Sequence, residues 1–172
     1  MPNWCNNKLK VNISASTAPV SKLIKAPLKD EGDAKIRFRF MNLVPLPGWV
    51  WDYDEANKHW WTKWDIDVLQ QDIVYSNIDW HQWMHIEFDT AWAPPIQFYH
   101  EMTKAWYVFE AYYFEPGCHI IWYYLSDVWC ETDGANDVEY DEDQDTYITN
   151  DISNHDTLNE LWISHIYGGE KA

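Results

Sequence analysis

Glycine, cysteine and long apolar runs are all scarce in this chain of 172 residues. Six glycines, with no P-loop and no dinucleotide-binding glycine motif, leave little backbone suited to cradling a phosphate group. Three cysteines without CxxC spacing are typical of reduced thiols in a cytoplasm. The longest strongly apolar run, residues 120–125, is far too short to span a bilayer, and the first residues show no apolar signal-peptide region. The sequence therefore predicts a soluble protein of the cytoplasm.

Positive charge is scarce after residue 39. Residues 1–39 carry eight Lys and Arg side chains against three Asp and Glu, whereas the rest of the chain carries four against twenty-five. The net charge is −16. An acidic surface of this kind repels nucleic acids and anionic membranes and attracts basic partners. Direct nucleic-acid binding is therefore disfavoured, except through the N-terminal segment.

The N-terminal third predicts short strands and a helix. Residues 4–13 alternate apolar and polar side chains, which indicates a strand. A helix is expected over 17–28, with Thr17 as its cap, followed by a second short strand over 36–40. A further short helix is expected over about 65–72.

The clearest unit begins at Met84, where apolar and polar residues again alternate. We expect a strand there, then a helix opened by Pro95, a strand over 108–114, a Pro-Gly turn and an apolar, central strand over 119–125. A last helix is expected from Ser153 to Ile166. This order predicts one α+β domain spanning residues 1–172, in which an antiparallel or mixed sheet has its helices on one face.

Tryptophan is abundant, and five of the thirteen lie in an insertion at about residues 45–67. Prolines and a glycine interrupt this segment, so it is predicted to be irregular. One interpretation is a loop folded over the core; the other is an exposed aromatic contact surface. The residues of that possible surface are Trp49, Trp51, Trp60, Trp61 and Trp64.

Five separated motifs resemble one family. They are MPNWC at the start, NLVPLP at 42–47, WTKWD at 61–65, FDTAWAPP at 88–95 and FEPG at 114–117. Together they are similar to the YubB-like proteins of phages and plasmids. The resemblance implies a ferredoxin-like fold and a mobile-element origin, without established catalytic residues. The chain departs from the family pattern at Trp61, where a glycine is expected, and its acidic C-terminal region lies outside the matched motifs.

The acidic segment at about residues 131–151 contains the stretch DVEYDEDQDTY. An exposed hairpin or loop is expected here, with Tyr147 and Ile148 rejoining the sheet. If the stretch is extended, alternate carboxylates form a row on one face. The residues of this acidic strip are Asp137, Glu139, Asp141, Glu142, Asp143 and Asp145. An EF-hand register fails, because Thr146 and Ile152 occupy the positions of its required glycine and glutamate. No metal and no cofactor are predicted.

No catalytic constellation emerges from the remaining candidates. His81 and His85 lie on a predicted strand, where roughly 13 Å would separate them. Cys118 and His119 are strand neighbours and point to opposite faces. Glu87 and Asp89 share a strand face and could act as paired carboxylates, but a solvated polar face explains them equally well. The sequence therefore predicts a protein that is not an enzyme.

Two functions fit these patterns. The first is a non-enzymatic inhibitor that binds a basic host protein through an acidic, DNA-mimicking surface, such as an anti-restriction or anti-CRISPR protein. The alternative is a nucleic-acid-binding or replicon-maintenance protein that uses the aromatic-rich sheet and the basic N-terminal strand. A third interpretation also remains: the acidic strip only keeps the protein soluble and binds no partner. The oligomeric state is not predicted.

Overall fold

A computed structural model describes residues 3–25, 35–117, 120–126, 138–149, 151–163 and 165–167. It contains eleven strands and four α-helices in the described residues. In chain order they are β1 (Trp4–Asn12), β2 (Ile24–Lys25), β3 (Arg37–Phe38), α1 (Phe40–Leu43), α2 (Tyr53–Trp60), β4 (Val68–Leu69), β5 (Val74–Ile78), β6 (His81–Ala91), α3 (Ile96–Lys104), β7 (Val108–Glu115), β8 (Ile120–Leu125), β9 (Val138–Asp141), β10 (Thr146–Thr149), α4 (Ile152–Glu160) and β11 (His165–Tyr167).

The main sheet has five strands in the order β5-β6-β1-β7-β8, and every neighbouring pair is antiparallel. The α+β class with antiparallel sheets is therefore confirmed. The expectation that residues 119–125 form a central strand is wrong, because β1 is central and β8 lies at an edge. The strand is apolar for another reason: Tyr124 is buried in the core on one face and Ile121 in a second cluster on the other.

One face of this sheet is covered by aromatic rings. Leu9 and Val11 of β1 are fully buried there, as their alternation with lysines predicts. The helices α1, α2 and α3 lie on this side, and Phe40 packs 4.6 Å from Phe98 between ring centroids. The main rings of this core are Phe38, Phe40, Trp60, Phe88, Phe98, Tyr99, Phe109 and Tyr124.

The other face is covered by α4 and a three-stranded sheet, ordered β11-β10-β9. Leu158 of α4 is buried with Phe114 and Ile121 in a separate hydrophobic cluster. The expectation that the helices lie on one face is therefore wrong, because α4 occupies the opposite face. This C-terminal layer also positions the acidic residues.

The helices predicted over 17–28 and over about 65–72 are not found in the described residues. Within 17–25, residues 20–22 make a single 3-10 turn and β2 follows; residues 26–34 lie outside the described part. The predicted helix at 65–72 is replaced by β4 and another 3-10 turn at 70–72. Pairing of β3 with both β2 and β4 explains the outcome, because tertiary pairing overrides weak helical periodicity. The strand expected over 36–40 is only β3, since α1 begins at Phe40.

Two helices begin at aspartate caps. Asp52 accepts hydrogen bonds from the amides of Asp54 and Glu55, so α2 forms inside the segment that was expected to be irregular. Asp151, rather than Ser153, caps α4. The predicted C-terminal helix is shorter than expected, because α4 ends at Glu160 and β11 follows at residue 165.

Candidate functional site: an acidic hairpin and its surroundings

The acidic hairpin, residues 138–149, consists of β9, a turn at 142–145 and β10. Asp141 organises the turn: its Oδ1 accepts from the amides of Asp143 at 2.9 Å and Gln144 at 3.2 Å. Its Oδ2 accepts from the Gln144 side-chain amide at 2.6 Å. Aspartate commonly stabilises turns in this way, because its carboxylate mimics a backbone acceptor. The acidic composition therefore encodes the turn as well as the charge.

The hairpin changes the expected arrangement of the acidic strip. The segment forms a hairpin, one of the two forms expected, and the condition for one extended row is not met: only residues 138–141 are extended before the chain reverses, with Asp145 at a φ of 51°. Glu139, Glu142, Asp143 and Asp145 are exposed, and Asp141 is half-buried. Asp137 lies outside the described residues. The carboxylates thus cluster around a hairpin end. Tyr147 and Ile148 do form a strand, β10, but the prediction that they rejoin the main sheet is wrong, because β10 belongs to the C-terminal sheet.

The charge of the acidic hairpin is not neutralised by the described part of the chain. None of the ion pairs found there involves Glu139, Asp141, Glu142, Asp143 or Asp145. The hydrogen bond from the Gln144 side chain lowers the pKa of Asp141, so that this carboxyl stays ionised. A strong negative potential is therefore available at the hairpin end.

The lysines of β1 do not offer an open basic face. Lys8 Nζ donates to the Glu160 carbonyl at 2.9 Å and lies 3.4 Å from its carboxylate. Lys10 Nζ lies 3.1 Å from Glu110 and 3.2 Å from Glu160. Lys8 is buried and Lys10 is half-buried beneath the C-terminal layer. These two cations are thus occupied inside the protein.

Arg37 of β3 and Arg39, which precedes α1, are also paired. Arg37 lies 2.5 Å from Asp67, and Arg39 lies 3.3 Å from the same carboxylate. Arg37 is buried and Arg39 is half-buried. Much of the N-terminal positive charge is therefore balanced within the fold, and the basic strand of the nucleic-acid hypothesis is unsuited to phosphate contacts.

Four of the five tryptophans of the predicted aromatic surface are exposed: Trp49, Trp51, Trp61 and Trp64. The expectation for Trp60 is wrong. Its ring is fully buried against Phe40, and its indole N–H donates to the Val44 carbonyl at 2.9 Å. The segment was interpreted either as a loop folded over the core or as an exposed aromatic surface, and each interpretation describes a part of it. Trp60 of α2 packs into the core, and the tryptophans on either side of α2 face solvent.

A cleft that the sequence patterns did not indicate lies beside the acidic hairpin. Its volume is about 630 Å³. It is lined by residues from three distant parts of the chain: Asn3, Trp4, Asn6, Phe114, Glu115, Pro116, Gly117, Val138, Tyr140 and Tyr147. Glu115 is fully buried and accepts from the Gly117 amide at 2.9 Å. Asn3 and Trp4 of the MPNWC motif thus meet the FEPG motif here.

The candidates for catalysis or metal binding remain separate. Within the described ranges, no group of three or more His, Cys, Asp or Glu side chains is placed to hold a metal ion. Burial raises the pKa of the Cys5 thiol, so that this residue is a protonated core side chain. His85 is hydrogen-bonded to Ser76 and Asp89 to Asn6. Cys118 and His119 lie outside the described residues.

A scan against protein-family models, a search of curated proteins and a search of solved structures each find no match. In the described residues, none of the helices is long and apolar enough to cross a membrane.

Proposed function

We propose that this chain is a non-enzymatic protein of a phage or plasmid that binds a basic, nucleic-acid-binding host protein and blocks it, as an anti-restriction or anti-CRISPR inhibitor does. The observation that carries the proposal is the acidic hairpin: five carboxylates surround one hairpin end, and no described cation pairs with them. Its site of action is the cytoplasm of the bacterial host.

The chemistry of the acidic hairpin suits a protein that normally holds phosphates. Lysine ammonium groups and arginine guanidinium forks bind carboxylates and phosphates through the same charge-assisted hydrogen bonds. The turn around Asp141 holds the carboxylates on an ordered backbone, which reduces the conformational entropy lost on binding. A basic groove can therefore bind the carboxylates of the acidic hairpin in place of nucleic-acid phosphates.

The fold and origin that we propose for the chain agree with this function. We interpret the main sheet as ferredoxin-like: α3 connects β6 to β7 across β1, and β8 extends the edge. The similarity of five motifs to the YubB-like proteins supports a mobile-element origin. Such elements benefit from disarming defences that recognise nucleic acids.

The proposal is tested with a charge-reversed hairpin. Tagged protein is incubated with nuclease-treated bacterial lysate, and bound proteins are eluted with a short DNA duplex. We expect a basic nucleic-acid-binding protein that DNA displaces, and we expect Glu142→Lys with Asp143→Lys to lose it. The control, Asp72→Lys with Asp156→Lys, changes the net charge equally at exposed sites elsewhere. Equal capture by both double variants would contradict the proposal.

A second candidate is single-strand binding through exposed aromatic rings. Trp64 favours it, because its ring lies 6.0 Å from Trp4 and the Lys63 ammonium lies 4.5 Å above it. Filter binding of a single-stranded oligonucleotide at increasing salt measures this activity. A steep loss of affinity with salt supports it, and no retention at low salt rejects it.

A further inference from the structure

The cleft beside the acidic hairpin has the chemistry of a cation site. The rings of Tyr140, Tyr147 and Phe114 form a connected cluster on its wall, with centroid separations of 5.1 Å and 4.9 Å. Trp4, which is about half exposed, contributes a fourth ring to the lining. Aromatic faces attract cations, and arginine additionally stacks on them through its planar guanidinium.

Carboxylates lie close to the cleft. Glu115 is one of its lining residues, and Val138, Tyr140 and Tyr147 of the acidic hairpin line it as well. Burial, followed by the charges of Asp145 and Glu115, raises the pKa of Tyr147. The hydroxyl of Tyr140 donates to Asp145, so the ring is held at the rim.

We propose that this cleft receives an arginine side chain of the partner. The proposal rests on the inhibitor function proposed above and names the group that anchors the basic partner. The volume of about 630 Å³ accommodates a guanidinium and its aliphatic stem. The carboxylates around the hairpin end then contact neighbouring basic residues, so that one anchored side chain orients the wider electrostatic contact.

The test uses a short arginine-containing peptide and the same peptide with citrulline, which is nearly isosteric but neutral. We expect calorimetry to detect binding of the arginine peptide and roughly fivefold weaker binding of the citrulline peptide. Tyr140→Ala should weaken arginine binding by a similar factor, whereas Tyr140→Phe keeps the ring and should retain it. Tyr53→Ala is the control, because Tyr53 is equally exposed but lies away from the cleft.

The outcomes separate the cleft from the inhibitor function. Equal binding of the two peptides, or no effect of Tyr140→Ala on peptide binding, overturns the arginine site. If the arginine site fails while the charge-reversed hairpin loses its partner, the inhibitor function stands alone. If the peptide result holds and DNA displaces no protein, the site stands and the inhibitor function fails.

A different observation, on the backbone, carries a second inference. Eight described residues other than glycine have a positive φ, and six are tryptophans. All six are exposed: Trp49, Trp61, Trp80, Trp92, Trp106 and Trp162. A positive φ is rare for a bulky residue, since its Cβ meets the following carbonyl, and glycine is the usual occupant.

Two of these tryptophans occupy the glycine position of a helix-ending motif. After α3, the Trp106 amide donates to the Thr103 carbonyl and the Tyr107 amide to Met102. After α4, the amides of residues 162 and 163 donate to Asn159 and Leu158 in the same pattern. This pair of bonds defines the Schellman motif, whose left-handed residue is usually glycine.

Two further tryptophans occupy other glycine positions. Asp79 and Trp80 form the two-residue loop between β5 and β6, and both have a positive φ. Asp-Gly and Asn-Gly are strongly preferred in such loops. Trp61 is the left-handed residue that ends α2. The glycine total of six also falls short of the roughly twelve that average usage predicts for this length.

We infer that positions 61, 80, 106 and 162 are glycine positions, and that their codons are UGA codons read as glycine in the organism that carries this gene. UGA is a stop codon in the standard genetic code. Some other codes assign it to tryptophan, the residue in the sequence at these positions, and others assign it to glycine, the residue that the backbone geometry favours there. Buried Trp60 and hydrogen-bonded Trp51, in contrast, have UGG codons. With glycine at position 61, the exposed aromatic surface has one ring fewer. The second candidate function, binding of single-stranded nucleic acid by stacking on exposed rings, is then less well supported.

The gene sequence tests this inference directly. We expect UGA at codons 61, 80, 106 and 162 and UGG at codons 51 and 60; UGG at all six would overturn it. A stability comparison is the second test. Trp106→Gly and Trp162→Gly should each raise the Tm by about 2–4 °C, whereas Trp51→Gly, at a position with an ordinary φ, should lower it. Lower Tm values for both glycine variants would contradict the inference.

Discussion

The two faces of the five-stranded sheet are built from the same strands by different physical means. On one face, β1 contributes Leu9 and Val11 to a dry layer of aromatic rings. On the other, Lys8 and Lys10 meet Glu160 under the C-terminal layer. Burial of apolar area stabilises the first face, whereas the second combines a smaller apolar cluster with pairs of charges that have lost part of their hydration.

This difference explains which charges are left for a partner. The polar face uses the lysines of β1 internally, and the Asp67 carboxylate binds Arg37 of β3 and the nearby Arg39. The acidic hairpin is part of the C-terminal layer, and the carboxylates of its turn face solvent. Its carboxylates are not required for packing, so they remain available as a surface charge. Glu139, Glu142, Asp143 and Asp145 thus place negative charge at the protein surface.

The largest effect is expected from breaking the aromatic face at Trp60. Trp60→Ala removes a fully buried ring and its hydrogen bond to the Val44 carbonyl. Cavity formation of this kind lowers the free energy of unfolding by about 3–5 kcal/mol. Chemical denaturation measures the loss. Trp80→Ala, at a fully exposed ring, is the control and should change stability by less than about 0.5 kcal/mol.

A pH-dependent effect is expected at the border of the aromatic face. Burial raises the pKa of Asp65 from 3.8 to about 6, although its Oδ1 accepts from the amides of Phe40 and Ile66. The folded state therefore binds this proton more tightly than the unfolded state. The resulting stability is present below about pH 4 and is lost as the pH rises to about 6.

Asp65→Asn keeps the acceptor oxygen and removes the charge. Relative to the wild type, the variant should gain stability as the pH rises from 4 to 6, by up to about 3 kcal/mol, and the difference should stay constant above that. Denaturation curves of both proteins at several pH values measure the difference. If the difference in the free energy of unfolding does not change with pH, ionisation of the Asp65 carboxyl does not destabilise the folded state.

The polar face should respond to the loss of its shared anion. Glu160→Ala leaves Lys8 and Lys10 half-desolvated with fewer partners, although Lys10 keeps Glu110. We expect the free energy of unfolding to fall by about 1–2 kcal/mol, and the loss to decrease when Lys8→Met is added. Glu87→Ala is the control, because that carboxylate is mostly exposed and lies 3.9 Å from Lys8. An equal loss in the control would contradict this account.

Strong local patterns in the sequence predicted the elements in which they occur, but not how those elements pair or pack. The alternation in β1 and the proline before α3 both led to the observed elements. The helix predicted over 17–28 failed because β2 pairs with β3, a contact that periodicity does not encode. For the same reason, neither the side of the sheet covered by α4 nor the edge position of β8 could be predicted.

The candidate site was predictable in composition but not in shape. Each carboxylate of the acidic hairpin was identified, yet the turn depends on how Asp141 folds back onto two amides. The cleft joins Trp4, Glu115 and Tyr140, which are far apart along the chain. Adjacent tryptophans show the same limit: Trp60 is buried and Trp61 is exposed, because α2 ends between them.

The smallest stability effect is expected from the acidic hairpin, and it separates charge from packing. Glu142 and Asp143 are exposed in the turn, and none of the described ion pairs involves them. Glu142→Lys with Asp143→Lys should therefore change the free energy of unfolding by less than about 0.5 kcal/mol. Chemical denaturation at neutral pH measures this, with Asp141→Ala as the contrast, because that change removes the acceptor for two turn amides. A loss in the double variant as large as that in Asp141→Ala would mean that these carboxylates stabilise the fold, and the surface charge would then need no partner to account for it.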